Sequence, residues 1–362
     1  MHTTPTPARA IATTASLPEL VQTAGPPGTI TQDGPFETQP WGPHGRLETP
    51  RYSVERVVYR SAGTEVVGNL FVPGISGRNP AVVVIGPVGF VKEQSPIQYA
   101  SRLVRDGYVT LIFDPRYHGE SGGEPRRHES GAAKVEDLCA SVDFLVSRDD
   151  VDPERIFILA ICQGVNWAIE AATLDSRVKA LAMVAGHYLT PEVTEMYVGD
   201  TAEARIGRSR EAEARFKTTG EVSYIPIVSA QPTPPDPTAL LTAPPVRQFY
   251  IRWADRGPFW NFHGLWENRI TAMSEAAIWS YDVRAAMARL TTPTLMVHAD
   301  RAASGPQIPR DLFGIIPAAD KELVWLGSQN QLQFYEDPIT IDQVAPHVAR
   351  FFSGCSVRAE PR

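Results

Sequence analysis

Four apolar runs, separated by polar turns and amphipathic stretches, constrain the fold of this chain more than any other feature. They lie at residues 79–87, 108–115, 155–161 and 177–186 and read NPAVVVIGP, YVTLIFDP, RIFILAI and RVKALAMVAG. Short continuous apolar runs are typical of strands buried on both faces, whereas the 3.6-residue spacing of apolar side chains in 132–148 predicts a helix. Alternating strands and helices predict an α/β fold, with a mostly parallel central sheet and helices on both faces.

The alternation begins only after residue 50 and is interrupted once. Residues 1–50 are rich in Thr, Pro and Gly and predict an irregular N-terminal arm. Residues 51–187 and 271–355 are predicted to form the α/β core, and 188–270 an insertion. Because its aromatic stretch FYIRWADRGPFWNFHGLW needs a surface to bury against, we interpret the insertion as a lid over the carboxyl ends of the strands. A mere surface excursion is the alternative.

Charge and cysteine content narrow the classes of partner. The chain has 34 basic and 41 acidic residues, and without a basic block neither nucleic acid nor an anionic membrane is an expected partner. We expect no membrane span, no secretory signal and a cytoplasmic location. Three cysteines, Cys139, Cys162 and Cys355, are too few for a disulfide framework, and no Cys/His cluster predicts a metal site. The expected partner is a small-molecule substrate without a cofactor, and a homodimer is possible.

Five motifs, agreeing in order and spacing, carry a resemblance to a known superfamily. In chain order they read GPVGFVKEQ, FDPRYHGESGGEPRRHE, VDPERIFILAICQGVN, NRITAMS and PTLMVHAD. From about residue 52 to 353 the chain resembles an α/β-hydrolase, more narrowly the cytosolic branch related to dienelactone hydrolases. That branch also contains polyketide acyltransferases of microbial secondary metabolism. The resemblance implies an α/β-hydrolase fold with an inserted helical lid.

The third motif resembles the nucleophile elbow of that superfamily, whose usual pattern is G-x-S-x-G. Here Ala160 replaces the first Gly and Cys162 stands in the place of Ser. The N-terminus of the following helix is expected to lower the pKa of the thiol and favour the nucleophilic thiolate. The alternative is a buried, inert cysteine.

An oxyanion hole needs two backbone N–H groups near the nucleophile. The resemblance assigns one to Gln163, directly after Cys162, and the other to Val88 or Gly89 in the first motif. The family usually carries His and several Gly in that loop, and here Gly86, Val88 and Phe90 replace some of them.

The family's triad implies an acid and a base after the late strands. Asp300 ends PTLMVHAD at the place of the acid, although a loop Asp that caps the next helix would also fit. No His occurs between 299 and 346, and Gln331 occupies the expected place of the base. A side-chain amide cannot take up and return a proton at neutral pH. The triad therefore reads Cys162–Gln331–Asp300.

Two other histidines follow the carboxyl ends of central strands and are candidates for a relocated acid or base. These are His187 and His118, although most lone histidines are structural. Side chains of the oxyanion loop, of the segment after the fourth run and of the insertion are candidates for contact with substrate: Phe90, Tyr188, Trp260, His263 and Trp266.

A retained nucleophile without its base favours chemistry other than simple hydrolysis. We therefore predict acyl transfer, condensation or cyclisation of a largely apolar, polyketide-like substrate through a carbonyl, ester or thioester. One alternative is a Cys-dependent ester or thioester hydrolase with a relocated His. Another is a cyclase or pericyclic catalyst that forms no covalent bond to Cys162, and a third is a degenerate fold that only binds a partner.

Overall fold

The computed structural model describes residues 46–48, 51–255 and 266–358. A nine-stranded sheet forms the centre of this part of the chain. In chain order the strands are β1 (Arg46–Glu48), β2 (Tyr52–Ser61), β3 (Thr64–Pro73), β4 (Asn79–Ile85), β5 (Val109–Phe113), β6 (Val151–Ile161), β7 (Val178–Val184), β8 (Tyr224–Ile225), β9 (Ile270–Thr271), β10 (Thr294–His298) and β11 (Lys321–Trp325). The short strands β8 and β9 form a separate pair, and the other nine form the central sheet.

The strands lie in the order β1-β2-β3-β5-β4-β6-β7-β10-β11. The pairs β1–β2, β2–β3 and β3–β5 are antiparallel, and the remaining pairs are parallel. The mostly parallel sheet predicted from the apolar runs is thus confirmed. Strands β2 and β3 form an antiparallel pair that meets at Ser61 and Thr64 across a tight turn.

The parallel strands bring distant loops to one edge of the sheet. Strands β4, β5, β6, β7 and β10 are built largely from fully buried Val, Ile, Leu and Ala. Their carboxyl ends lead into residues 86–90, 114–118, 162–163, 185–188 and 299–303 respectively. Because these strands are parallel, the loops gather at the same edge, where sheets of this kind bind ligands.

Eleven α-helices lie in the described ranges. They are α1 (Ser95–Leu103), α2 (Gly131–Val146), α3 (Gly164–Leu174), α4 (Pro191–Val198), α5 (Ala202–Thr219), α6 (Pro244–Asp255), α7 (Glu275–Trp279), α8 (Arg284–Met287), α9 (Gln307–Ile315), α10 (Gln333–Glu336) and α11 (Pro338–Arg358). Residues typical of helix N-caps precede two of these helices. The side chains of Ser130 and Thr190 accept hydrogen bonds from the N–H groups of Ala133 and Val193 in the first turns of α2 and α4.

The helices that pack on the sheet fall into two groups. Helices α1, α10 and α11 contact one another, and helices α2, α3 and α8 form a second connected group. Both groups also contact the central strands. Two separate helical layers on one sheet agree with the predicted covering of both faces.

The segment between β7 and β10 contains helices α4 to α8 and the small β8–β9 sheet. Tyr224 pairs with Thr271 and Ile225 with Ile270, so the start and the end of its central part are tied together.

None of the helices in the described ranges has both the length and the apolar character that crossing a membrane requires. Nor do those ranges gather three or more His, Cys, Asp or Glu side chains that could hold a metal ion.

Candidate active site

Cys162 stands at a sharp turn between β6 and α3. Its backbone has a φ of 57°, in the left-handed region that residues other than Gly rarely adopt. The Cys162 N–H donates to the carbonyl of Val184 at 3.1 Å, which ties the turn to the neighbouring strand β7. The side chain is only 5% exposed. A strained, tethered turn at the end of a buried strand is the geometry expected of a nucleophile elbow.

Gly164 brings this elbow against the loop that follows β4. A Cβ at position 164 would lie 2.5 Å from the carbonyl oxygen of Gly86 and 3.2 Å from Ile85 Cγ2. A Cβ essentially never lies 2.5 Å from a backbone oxygen, so only Gly fits here unless the backbone shifts. The absent side chain therefore sets the distance between Cys162 and the predicted oxyanion loop.

The three predicted oxyanion donors differ in what they already bind. The Gln163 N–H is among the groups that act to lower the pKa of the Cys162 thiol. The Gly89 N–H donates to Glu129 Oε2 at 3.0 Å and is thus engaged by a protein carboxylate. No hydrogen bond within the described ranges engages the Val88 N–H. Of the two alternatives in this loop, Val88 is therefore the donor left for a ligand.

A buried ion pair supports the loop from the side of the core. Glu129 Oε1 accepts from the ammonium of Lys134, and both side chains are at most 2% exposed. The Lys134 ammonium also lies 5.3 Å from the centroid of the Phe90 ring, within cation–π range. Burial raises the pKa of Glu129, but the charge of Lys134 and the hydrogen bonds from Lys134 and the Gly89 N–H outweigh it and hold that pKa below its ordinary value. Glu129 therefore remains an acceptor for the loop.

The insertion holds the same loop from the other side. The Tyr250 hydroxyl on α6 donates to the Val88 carbonyl at 3.0 Å, and Trp266 Nε1 donates to the Gly89 carbonyl at 2.8 Å. The two rings stack with centroids 5.7 Å apart. Tyr250 and Trp266 are 1% and 3% exposed. The loop is thereby fixed between the core and the insertion.

Gln331 lies beside the thiol with its amide orientation fixed. Its Oε1 accepts from the Ala303 N–H at 2.7 Å, and its Nε2 donates to the Ala185 carbonyl at 2.8 Å. The same Nε2 donates to the Tyr335 hydroxyl at 3.0 Å. Ala185 follows Val184, whose carbonyl accepts from the Cys162 N–H, so the Gln331 amide lies next to the elbow. Gln331 and Tyr335 both act to lower the pKa of the Cys162 thiol, and Tyr335 is a residue that the sequence analysis did not single out.

Asp300 lies apart from this arrangement. It is exposed, its Oδ1 accepts from the indole of Trp325 at 2.9 Å, and its N–H donates to the Gly327 carbonyl at 2.8 Å. The hydrogen bonds of Gln331 within the described ranges go to other residues. The structure therefore brings together Cys162 and Gln331 of the predicted triad, and does not place Asp300 in contact with Gln331.

The expectation of a lowered thiol pKa is wrong for this structure. Burial raises the pKa of Cys162 to about 11. Hydrogen bonds from Tyr335, the Gln163 N–H and Gln331, with the positive charge of Lys134, favour the thiolate but do not offset burial. The helix N-terminus was visible in the sequence, whereas the complete removal of water from the sulphur was not. The thiol is neutral at pH 7 in this arrangement.

The two candidate histidines are buried and have partners other than the sulphur. Burial lowers the pKa of His187 to about 4, and its ring packs 4.6 Å from that of Tyr197. Burial likewise lowers the pKa of His118 to about 4. His118 Nδ1 lies 3.1 Å from the Arg116 carbonyl, and its Nε2 lies 3.5 Å from Glu129. Neither ring hydrogen-bonds Cys162 within the described ranges, so neither stands in the position of the missing base.

The predicted substrate contacts have different surroundings. Phe90 is fully buried, and Trp266 donates to the Gly89 carbonyl of the same loop. Tyr188 is fully buried and packs towards His298, with ring centroids 6.2 Å apart. Trp260 and His263 lie outside the described residues.

A model of the dienelactone hydrolase family matches residues 67–202, a stretch that runs from β3 through the elbow into α5. The chain has the α/β-hydrolase fold, and the matched stretch is similar to the dienelactone hydrolase family. The crystal structure of the hypothetical protein PA2218 from Pseudomonas aeruginosa resembles this α/β-hydrolase with a TM-score of 0.68 and 26% identity, over 84% of this chain and 94% of that one. The structure of the α/β-hydrolase GrgF from Penicillium sp. sh18 has the same fold, with a TM-score of 0.66 and 21% identity, over 84% and 99% of the two chains.

Curated relatives of this α/β-hydrolase include proteins named for acyl chemistry. The thiohydrolase aneE of Aspergillus aculeatus is 32% identical over 164 residues, which cover 45% of this chain and 50% of the relative. The polyketide transferase claH of Penicillium crustosum is 33% identical over 131 residues, which cover 35% and 42%. The matched stretches span between 34% and 50% of the lengths of the first three curated relatives.

Proposed function

We propose that this α/β-hydrolase-fold protein is an enzyme of small-molecule secondary metabolism. It acts on a carbonyl, ester or thioester of a largely apolar, polyketide-like substrate, and transfers, condenses or cyclises the acyl group in preference to hydrolysing it. The observation that carries the proposal is the amide of Gln331, fixed by hydrogen bonds beside Cys162. The names thiohydrolase, acyltransferase and polyketide transferase among the relatives support acyl chemistry of this kind.

The amide matters because hydrolysis of an acyl-enzyme needs an activated water. A positioned general base contributes roughly 10²- to 10⁴-fold to such a step, and an amide cannot act as one. A nucleophile carried by the substrate itself depends less on a base, since its effective concentration is high. Cys162, Tyr250 and Tyr335 are each at most 5% exposed, so bulk water has little access to the sulphur in this structure. These features favour an alcohol, amine or carbon nucleophile over water.

The transfer runs through two balanced steps. In the first, Cys162 Sγ bonds to the substrate carbonyl carbon, the bond to the leaving group breaks, and the thiol proton ends on the leaving group. The carbonyl oxygen accepts from the N–H groups of Gln163 and Val88 while it carries negative charge. In the second, the acceptor bonds to the same carbon, the carbon–sulphur bond breaks, and the acceptor's proton ends on Cys162.

A second candidate is a catalyst that forms no covalent bond to Cys162. The observation in its favour is the pKa of the thiol, which burial raises to about 11. A neutral thiol is a weak nucleophile. In this second function the same oxyanion donors would bind the substrate carbonyl, and the surrounding aromatic side chains would hold an apolar substrate in the conformation that cyclises.

One set of variants separates these functions. Native protein, Cys162→Ala and Gln331→His are assayed on a panel of thioesters and p-nitrophenyl esters, with intact mass recorded for each substrate. Acyl transfer predicts an acyl adduct and loss of turnover in Cys162→Ala, while Gln331→His gains hydrolysis. Cys139→Ala is the control, because Cys139 lies on α2 outside the site and is partly buried.

Two other outcomes would favour a function other than acyl transfer. Full turnover in Cys162→Ala would favour the non-covalent catalyst. Vigorous hydrolysis by the native protein would contradict the preference for transfer.

A further inference from the structure

The peptide that joins Val88 to Gly89 is held at both of its polar ends. Its carbonyl accepts from the Tyr250 hydroxyl at 3.0 Å, and its N–H donates to Glu129 Oε2 at 3.0 Å. The carbonyl and the N–H of a trans peptide point in opposite directions, so the two bonds hold the plane from opposite sides. The plane cannot turn over without losing both partners.

Gly89 makes these two bonds necessary. Its φ of 60° lies in the left-handed region, and glycine adopts positive and negative φ about equally well. The backbone preferences of Gly89 therefore do not select one orientation of the peptide. Turning the plane over would exchange a carbonyl oxygen and an N–H group directly beside the Val88 donor, and would reverse the local dipole there.

The carboxylate of Glu129 is itself fixed in place. Its Oε1 accepts from the Lys134 ammonium and its Oε2 from the Gly89 N–H. The Glu129 N–H donates to Ser274 Oγ at 2.9 Å, which anchors the main chain of this residue. Glu129 and Lys134 are each at most 2% exposed. The ion pair needs one of the two carboxylate oxygens, and the other is bound to the loop.

Glu129 differs from the other two side chains that bind this loop. Tyr250 and Trp266 belong to the insertion and are neutral donors to the carbonyls of Val88 and Gly89. Glu129 directly precedes α2 of the core and is a charged acceptor. A hydrogen bond to an ionised group is roughly twice as strong as one between neutral groups. Glu129 therefore provides the strongest of the three restraints on the loop.

We propose that Glu129 is a positioning residue of the oxyanion hole. Its carboxylate fixes the Val88–Gly89 peptide, so that the Val88 N–H stays available to the carbonyl oxygen of the substrate. The assignment rests on the acyl transfer proposed above. Because Glu129 acts through Gly89, the role requires an acceptor atom at this place and does not require a negative charge.

Two double variants separate the acceptor from the charge. Glu129→Gln with Lys134→Met removes both charges and leaves the amide oxygen to the Gly89 N–H, since no ammonium competes for it. Glu129→Met with Lys134→Met removes the same charges with a side chain of similar length, but offers the N–H only a weakly accepting thioether. The two variants share the loss of the ion pair and differ in the bond to Gly89.

The measurement compares two reagents that modify Cys162. p-Nitrophenyl butyrate acylates the sulphur through a tetrahedral intermediate, whose oxygen needs the oxyanion donors. Methyl methanethiosulfonate is attacked at sulphur and forms no oxyanion. Both rates are followed by the mass of the peptide that contains Cys162. Ionisation of the thiol affects both rates alike, so the ratio of acylation to thiolation reports the oxyanion hole.

The ratio is expected to follow the acceptor. It should be roughly 10- to 100-fold lower in Glu129→Met with Lys134→Met than in Glu129→Gln with Lys134→Met, because a misplaced donor costs up to about 100-fold. In Glu129→Gln alone, Lys134 and the Gly89 N–H compete for one amide oxygen, so the ratio should fall and adding Lys134→Met should restore it. Equal ratios in the two double variants would overturn the assignment.

Glu275→Gln is the matched control. Glu275 Oε1 accepts from Arg205 and from Trp279 Nε1, and the side chains of Glu275 and Arg205 are 5% exposed. Within the described part of the chain, none of the hydrogen bonds of this pair reaches residues 86–90. The control thus breaks a comparable buried ion pair away from the loop, and its ratio should equal that of the native protein. A fall as large as in Glu129→Gln would assign the effect to lost stability.

Hydrogen exchange at the Gly89 N–H tests the assignment without acyl chemistry. NMR of glycine-labelled protein should show faster exchange at Gly89 in Glu129→Met with Lys134→Met than in Glu129→Gln with Lys134→Met. If the native protein forms no acyl adduct but this difference is present, acyl transfer is rejected and the role of Glu129 in the loop stands. If the native protein forms the adduct but exchange and ratios are equal in the two variants, Glu129 alone is rejected.

Discussion

Gly164 on the elbow helix lies so close to the carbonyl of Gly86 that a Cβ there would come within 2.5 Å of the oxygen. Gly164→Ala should therefore push α3 away from the oxyanion loop. We expect a loss of unfolding free energy of roughly 1–3 kcal/mol, the usual range for overpacking, and slower formation of the acyl-enzyme. Urea unfolding and intact mass measure the two effects.

Gly207→Ala serves as the comparison for that variant. Gly207 lies inside α5 with nothing within 4 Å of an added Cβ. We expect a gain of about 0.5–1 kcal/mol there, because Ala loses less backbone entropy than Gly in a helix. Equal effects of the two substitutions would show that contact with Gly86 is not what constrains position 164.

The buried pair of Glu129 and Lys134 predicts strong coupling in stability. Glu129→Gln leaves the Lys134 ammonium without its partner and should reduce the unfolding free energy by roughly 3–5 kcal/mol. Glu129→Gln combined with Lys134→Met removes both charges and should recover part of that loss. Denaturant unfolding of the single and double variants gives the coupling free energy. Strict additivity would argue against the pair.

Asp300 and Gln331 are expected to differ in their effect on the thiol. Asp300→Asn changes an exposed side chain that binds the Trp325 indole, whereas Gln331→Leu removes the amide that orients Tyr335. We expect Gln331→Leu to slow acyl-enzyme formation far more than Asp300→Asn. Stopped-quench mass spectrometry on an activated thioester compares the rates. The opposite ranking would support Asp300 as the acid of the triad.

His187 predicts a loss of stability in acid. Burial lowers its folded-state pKa from 6.5 to about 4, so the unfolded chain binds this proton at a higher pH than the folded one. Its contribution is fully present above pH 6.5 and is lost as the pH falls towards 4, by up to about 3 kcal/mol. His187→Gln should flatten the pH dependence of the unfolding free energy in this interval. An unchanged slope would mean that His187 is not buried in the neutral form.

Local patterns in the sequence were enough for the sheet and the elbow. The apolar runs gave β4 to β7, and the turn at Cys162 followed from the strand–turn–helix pattern around it. The family resemblance also indicated Gln331, whose amide binds the Ala185 carbonyl next to the elbow. Each of these inferences uses residues that are neighbours along the chain.

The contacts that hold the candidate site together could not be predicted from local sequence patterns, because they join residues that are far apart along the chain. Glu129 is 40 residues from Gly89, and Tyr250 is 162 residues from Val88. The pKa of the Cys162 thiol depends on all the groups packed around it. The helix N-terminus alone therefore predicted a lowered pKa, whereas burial raises it. Tyr335 lies four residues after Gln331, a spacing that would have found it had the short helix α10 been foreseen.

The hydrogen bonds from Tyr250 and Trp266 to the loop of Val88 and Gly89 join the insertion to the oxyanion loop. If either side chain moves, the backbone that would bind the oxyanion loses a hydrogen bond. The positions of these two aromatic residues and the order of the loop are therefore linked, and a substitution at Tyr250 or Trp266 changes the loop without touching it in sequence.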